Sequence, residues 1–166
     1  MQEHGLKISE LVTLFNLEVL NRGSDYDTAL LTITDVNRPG LQFHSFYDYF
    51  DPRRLQVLGK AEITYLKGLT TEQRRKCFDD LFLYDIPALV ISRGLDCFPE
   101  CLESARVHER TLLRTEETTV EFTSHTIEYL NRVLAPCVTR HGVLLDISGE
   151  GVMITGVRHR QERVRH

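Results

Sequence analysis

Three groups of residues in this 166-residue chain have types and spacings that could do chemistry. The first is the strand-like run Gly151–Thr155 closed by Gly156. A buried strand ending in glycine is the usual lead-in to a phosphate-binding loop of pattern G-x-x-x-x-G-K-[ST]. There, backbone N–H groups point at the phosphates, the lysine neutralises them and the hydroxyl holds Mg2+. After Gly156 this chain continues VRHRQERVRH, with no second glycine and no lysine. The second group is the cysteines. Cys97 and Cys101 are spaced to share a helix face, which raises the question of a metal. Two ligands are not a site, and no nearby Cys/His pair completes one. They read as helix-face and core thiols, and no metal is expected. The third is FHSFYDYF, with five aromatics in eight residues (Phe43, Phe46, Tyr47, Tyr49, Phe50). It could wall a ligand pocket, but core packing is the better expectation.

Charge limits the partners. The chain carries −4 overall. Four arginines against one glutamate leave +3 over residues 157–166, so residues 1–156 carry −7. An acidic body does not suit nucleic acid, and a ten-residue basic tail is a weak basis for it. No apolar run approaches membrane-spanning length, and no secretory signal opens the chain. The expectation is a cytoplasmic protein whose thiols are reduced, with no nucleic-acid or membrane partner.

The elements that must position these groups follow from periodicity. ISELVTLFNL reads as a helix with Ser9 as its cap, and ALLTITDV as a strand. NRPG is a turn, and LQVLG a short strand. KAEITYLKGL and TTEQRRKCFDDLFL read as helices, the second capped by Thr71. PALVISRG, an unbroken apolar run closed by Gly94, is a strand buried on both faces. PECLESARVHE is a helix, TLLRT a strand, and TTVEFTSHTIEYLNRVLAP a long amphipathic helix stopped by Pro136. This alternation predicts an α/β domain with a short, largely parallel or mixed sheet over residues 1–135. From residue 136 the pattern changes: two apolar strand runs flank SGEG, a β-hairpin or a strand pair that resembles the opening of a new domain over residues 136–156.

Five blocks, DVNRPGLQF, FDPRRLQVLGKAEITYL, PALVISRGL, LLRT and RHGVLLDISGEGVMITG, occur in this order. Together they resemble the HPr kinase/phosphorylase family of bacteria over residues 6–156. The resemblance implies a regulatory N-terminal α/β domain, similar in fold to the first domain of Mur ligases, followed by the first strands of a P-loop kinase domain. It implies an enzyme that phosphorylates a serine of HPr with ATP or pyrophosphate, aided by Mg2+, and removes the phosphate by phosphorolysis. It also implies a homohexamer and a role in carbon catabolite regulation. His141, in RHGV, matches the family's active-site histidine, and Gly156 the first glycine of the nucleotide loop. The loop lysine, the Mg2+-binding serine and the downstream aspartate have no counterparts, so this chain is expected to be an inactive, truncated fragment that does not bind ATP. Arg38, Arg93 and Arg114 fall in family-like blocks and could form an anion site. The alternative reading is therefore a stand-alone regulatory module that binds an anionic ligand without catalysis. His4, His44, His108 and His125 are expected to be ordinary polar residues, and Asp79, Asp80, Glu116 and Glu117 solvated faces.

The tail itself suggests why the loop is missing. Val157 to His166 can be back-translated as GTC CGG CAT CGG CAA GAG CGA GTC CGC CAC. Read one nucleotide later, this gives S-G-I-G-K-S-E-S-A, with the lysine where the phosphate-loop pattern needs it once one codon is restored. Residues 157–166 therefore read as a frameshifted tail. The nucleotide sequence beyond Gly156 tests this. It should encode S-G-I-G-K-S in a shifted frame, and a sequence unable to do so in either shifted frame refutes the reading.

Overall fold

The computed structural model describes residues 3–136, and the backbone of two strands at 142–147 and 150–155. Contacts divide the chain at Ala135/Pro136 into two compact units. The first runs β1 (Leu6–Lys7), α1 (Ile8–Phe15), β2 (Glu18–Asn21), β3 (Leu30–Leu31), β4 (Val36–Asn37), α2 (Gly40–Phe43), β5 (Leu55–Leu58), α3 (Lys60–Lys67), α4 (Thr71–Phe82), β6 (Leu89–Ile91), α5 (Pro99–Val107), β7 (Leu112–Arg114) and α6 (Thr119–Val133). Strands β4, β5, β6 and β7 are parallel neighbours, and β2 joins β7 antiparallel in the order β2-β7-β6-β5-β4. The fold is mixed α/β on a mixed sheet, as the alternation of elements predicts. β1 and β3 form a separate antiparallel ribbon.

Side-chain alternation along the central strands dictates the layers. Leu58, Leu89, Ile91 and Leu112 point to one face, where Phe43, Ile63, Leu66, Phe78, Phe82 and Ala105 of helices α2 to α5 cover them. Leu55, Val57, Val90 and Leu113 point to the other, where Ile8 and Leu11 of α1 and Phe122 and Leu130 of α6 cover them. The one polar residue of β5, Gln56, is fully buried. Its amide is satisfied by Asn37, whose Nδ2 donates to Oε1 at 2.6 Å, and by the carbonyl of Arg54 at 3.0 Å. A buried polar group is tolerated on those terms.

Several expectations shift in detail. ALLTITDV is not one strand: β3 pairs with β1 and β4 with β5, so the run is shared between two sheets. Asp35, between them, accepts the N–H of Val36 on its side chain (3.0 Å). The α4 cap is Thr70, whose hydroxyl accepts from the N–H of Gln73 at 3.2 Å while Gln73 Oε1 accepts from the N–H of Thr70 at 3.0 Å. Thr71 is already helical. Ser9 likewise lies inside α1, and the N–H of Lys7 is taken by Glu10 instead (3.1 Å). Strand β2 is absent from the sequence reading. Asn16, in the left-handed conformation (φ 49°), ends α1 and turns the chain into it. Of the five aromatics in FHSFYDYF only Phe43 is fully in the core. Left-handed Ser45 and Tyr49 curl the segment outward, leaving Tyr49 98% exposed.

In the second unit, β8 (Gly142–Ile147) and β9 (Glu150–Thr155) form the expected antiparallel hairpin, in register from Gly142↔Thr155 to Ile147↔Glu150. Glu150 and Gly151 of SGEG belong to β9, so the connection is two residues long, the commonest hairpin length.

Phe122 is fully buried between α1 and the sheet. Phe122→Ala should cost about 3–5 kcal/mol through lost burial and the cavity left behind. Thr118→Ala, which removes a cap, should cost about 1 kcal/mol. Urea unfolding of the two variants, followed by circular dichroism, measures both.

Candidate functional site

Four parallel strands end at one edge of the sheet, and in such sheets ligands bind outside the carboxyl ends. Here those ends are Arg38, Gly59, Ser92–Arg93–Gly94 and Arg114–Thr115. The centre of this edge is tightly knit. Gly59 caps α3, and its N–H donates to Glu62 Oε2 at 2.8 Å. The same carboxylate oxygen, largely buried, accepts from Arg38 Nη2 at 2.8 Å. Beside it the buried Ser92 hydroxyl donates to the carbonyl of Leu58 (2.8 Å) and lies 2.6 Å from Thr119 Oγ1 at the start of α6. A Cβ on Gly59 would sit 2.6 Å from Arg38 Nη2 and 2.7 Å from Thr119 Oγ1. Glycine is thus required where α3, α6 and β6 converge.

The β6–α5 loop is pinned to the segment after β7. Arg93 and Gly94 are consecutive left-handed residues (φ 59° and 57°). The N–H of Arg93 donates to the carbonyl of Glu117, and that of Gly94 to the carbonyl of Thr115, both at 2.8 Å. Holding a non-glycine residue left-handed costs about 1–2 kcal/mol, which these bonds offset. The N-terminus of α6 is already occupied by its own acid. Glu121 accepts from the N–H (3.1 Å) and hydroxyl (2.9 Å) of Thr118, and these bonds hold its carboxyl below the usual carboxylate range.

These facts correct the anion-site expectation. Arg38, Arg93 and Arg114 follow or end strands β4, β6 and β7, so they span three strand steps, about 14 Å at the usual spacing. Arg38 is spent on Glu62, and Arg114 on Glu18 at 2.8 and 3.0 Å. Only Arg93 is exposed with no side-chain partner among the described residues. Asp79 and Asp80 are not merely solvated: Arg75 and Ser104 bond the first, and Lys76 the second. His44 stacks on Tyr65, His108 bonds the carbonyl of Ser104, and His125 faces Glu117. Cys97 lies outside α5, two residues before its first helical residue, so it does not share a helix face with Cys101. Among the described residues no group of three or more His, Cys, Asp or Glu could hold a metal ion. No described helix is long and apolar enough to cross a membrane. His141 and Gly156 lie outside the described residues.

Sequence reading missed the Gly59–Glu62–Arg38 and Ser92–Thr119 contacts. Part of the signal was there: Gly59-x-x-Glu62 and Thr118-x-x-Glu121 have capping-box spacing.

This arrangement defines a class first. The fold is similar to that of part of the regulatory region of Clostridium perfringens pyrophosphatase, in the crystal structure of its CBS and DRTGG domains complexed with the activator diadenosine tetraphosphate. The TM-score is 0.52 over 74% of this chain and 47% of that one, at 15% identity, a likeness of fold alone. The family is more specific. The model of the HPr serine kinase N terminus matches residues 6–130, and the chain belongs to that family. It is 43% identical over 151 residues to the HPr kinase/phosphorylase of Alkaliphilus metalliredigens, covering 91% of this chain and 48% of that protein. It is 42% identical over 152 residues to that of Clostridium beijerinckii, covering 92% and 50%. The chain spans about half the length of the curated relatives it matches.

Gly59→Ala should destabilise the domain by about 1–3 kcal/mol through overpacking, read as a lower urea midpoint with an unchanged slope. Gly68→Ala, where the nearest contact is an ordinary 3.4 Å, should change it by less than about 1 kcal/mol.

Proposed function

We propose that this chain is the N-terminal regulatory domain, residues 1–135, of an HPr serine kinase/phosphorylase, joined to the opening hairpin of its kinase domain. The observation that carries this is the 43% identity over 151 residues to a protein so named. That match is longer than the unit Met1–Ala135. In the whole enzyme, ATP or pyrophosphate would phosphorylate a serine of HPr and phosphorolysis would reverse it, within a homohexamer that links carbon status to catabolite regulation. The hairpin suits the lead-in to such a site. Its open end pairs Gly142 with Thr155, and from that end the chain leads to His141 on one side and Gly156 on the other. His141 would stabilise charge on the phosphoryl group in flight, and Gly156 would begin the phosphate loop.

The residues present do not fit ATP and Mg2+. Residues 157–166 offer neither the lysine nor the serine that the loop requires, and positioning and charge neutralisation supply most of phosphoryl-transfer catalysis. We expect the 166-residue polypeptide to be inactive. Incubated with HPr, ATP and Mg2+, it should yield no phosphoserine by mass spectrometry, whereas the same chain continued in the shifted frame into a kinase domain should. Phosphoserine formed by the 166-residue chain alone would overturn this reading.

A further inference from the structure

A cavity of about 200 Å3 lies among α2, α3 and α4, and it shares no residue with the carboxyl edge of the sheet. Part of its lining is apolar: Phe43, Leu69 and the buried Cys77. The Phe43 ring packs edge-on against Phe78 at 5.6 Å, and Cys77 Sγ donates to the carbonyl of Phe43 at 3.4 Å, so this part is fixed. Gln42 adds a wall already committed within the protein. Its Oε1 accepts from Asn37 Nδ2 at 3.1 Å, and its Nε2 donates to the carbonyl of Phe46 at 3.2 Å.

The rest of the lining is polar and has capacity to spare. Gln73, Lys76, Cys77 and Asp80 fall at i, i+3, i+4 and i+7 along α4 and so share one face. Gln73 Oε1 accepts from the N–H of Thr70 at 3.0 Å, which fixes the amide and leaves its Nε2 without a partner among the described residues. The hydroxyls of Ser45 and Tyr65 have no partner among them either. Ser45 is left-handed (φ 63°), and the Tyr65 ring is stacked on His44 at 4.4 Å. Lys76 Nζ and Asp80 Oδ2 meet at 2.6 Å. That pair decides what the cavity suits. Its two charges cancel, so a simple anion or cation finds no unspent counter-ion. A surface pair of this i,i+4 kind contributes little to stability, so a ligand that carries both charges can part it at small cost.

We propose that this cavity binds a small apolar α-amino acid as its zwitterion. The ligand carboxylate accepts from Lys76 Nζ and Gln73 Nε2, its ammonium donates to Asp80, and its side chain packs on Phe43, Leu69 and Cys77. The size agrees. A cavity of about 150 Å3 takes one benzene ring, so about 200 Å3 holds a short aliphatic side chain with its head group. A nucleotide needs a larger pocket. Binding of this kind uses residues 42–80 alone and does not depend on kinase activity.

The test is isothermal titration calorimetry of the full chain with L-leucine. The expected result is saturable, one-site binding at millimolar concentration or below. 4-Methylpentanoate lacks the ammonium and L-leucinamide lacks the carboxylate. Each should bind at least about tenfold more weakly, the effect of losing a charge-assisted hydrogen bond. Lys76→Gln and Asp80→Asn should weaken leucine to the same degree, with circular dichroism verifying that each variant is folded. Glu72→Gln, on the same helix but outside the cavity, should bind leucine as the parent does. Absence of leucine binding overturns the proposal, whether or not D-glucose or inorganic phosphate binds in its place. So does leucine binding at the parent affinity in either Lys76→Gln or Asp80→Asn, or 4-methylpentanoate and L-leucinamide binding as tightly as leucine.

Discussion

The constraint on which the rest of this structure depends is that β5 and β6 are apolar on both faces. A strand pair of that kind cannot face water on either side, so the chain must supply two helical layers. Four helices, α2 to α5, lie between successive parallel strands and cover one face. The other face needs elements from outside that series, and the chain uses its two ends: α1 before the parallel strands and α6 after them. The carboxyl edge is where this changeover happens. There α6 leaves for the opposite face, and the Ser92–Thr119 bond and the cradle around Gly59 fix the point of departure.

The same constraint explains which parts of the fold were legible in the sequence. Buried runs such as LQVL and LVI, and helices with an apolar stripe such as α6, carry their signal in consecutive residues, and both were read correctly. Elements that depend on distant partners were not. β2 is an edge strand with Glu18 and Val19 exposed, so it has no alternation to read, and only pairing with β7 makes it a strand. The run 29–36 looks like one strand because its apolar content is continuous, yet β3 and β4 answer to different neighbours. Side-chain pairings across the sheet edge were the least legible. Arg38 and Arg114 resemble anion ligands until Glu62 and Glu18, 24 and 96 residues away, are seen to neutralise them.

Family membership rests on residues that mostly build the core and the edge of the first unit, while His141 and Gly156, proposed above to serve a phosphate site, lie outside the 6–130 match. The two kinds of information are therefore separable in this chain. The 6–130 match identifies the family, and the hairpin register pairs β8 with β9 from Gly142↔Thr155 to Ile147↔Glu150. Among the described residues, both apolar clusters are made from the first unit.

One further property follows from the lengths of the outer strands. A sheet edge is a template for pairing with another chain, and proteins blunt it by shortness or charge. β4 offers two residues, flanked by the Asp35–Arg54 ion pair at 3.1 Å. At the opposite edge, β2 runs against the grain of the other strands and carries the Glu18–Arg114 pair. An incoming strand finds too few free amides on one side and a fixed charge pair on the other. The domain is thus protected against strand exchange between copies, a useful property in a module that its relatives carry as half of a longer chain.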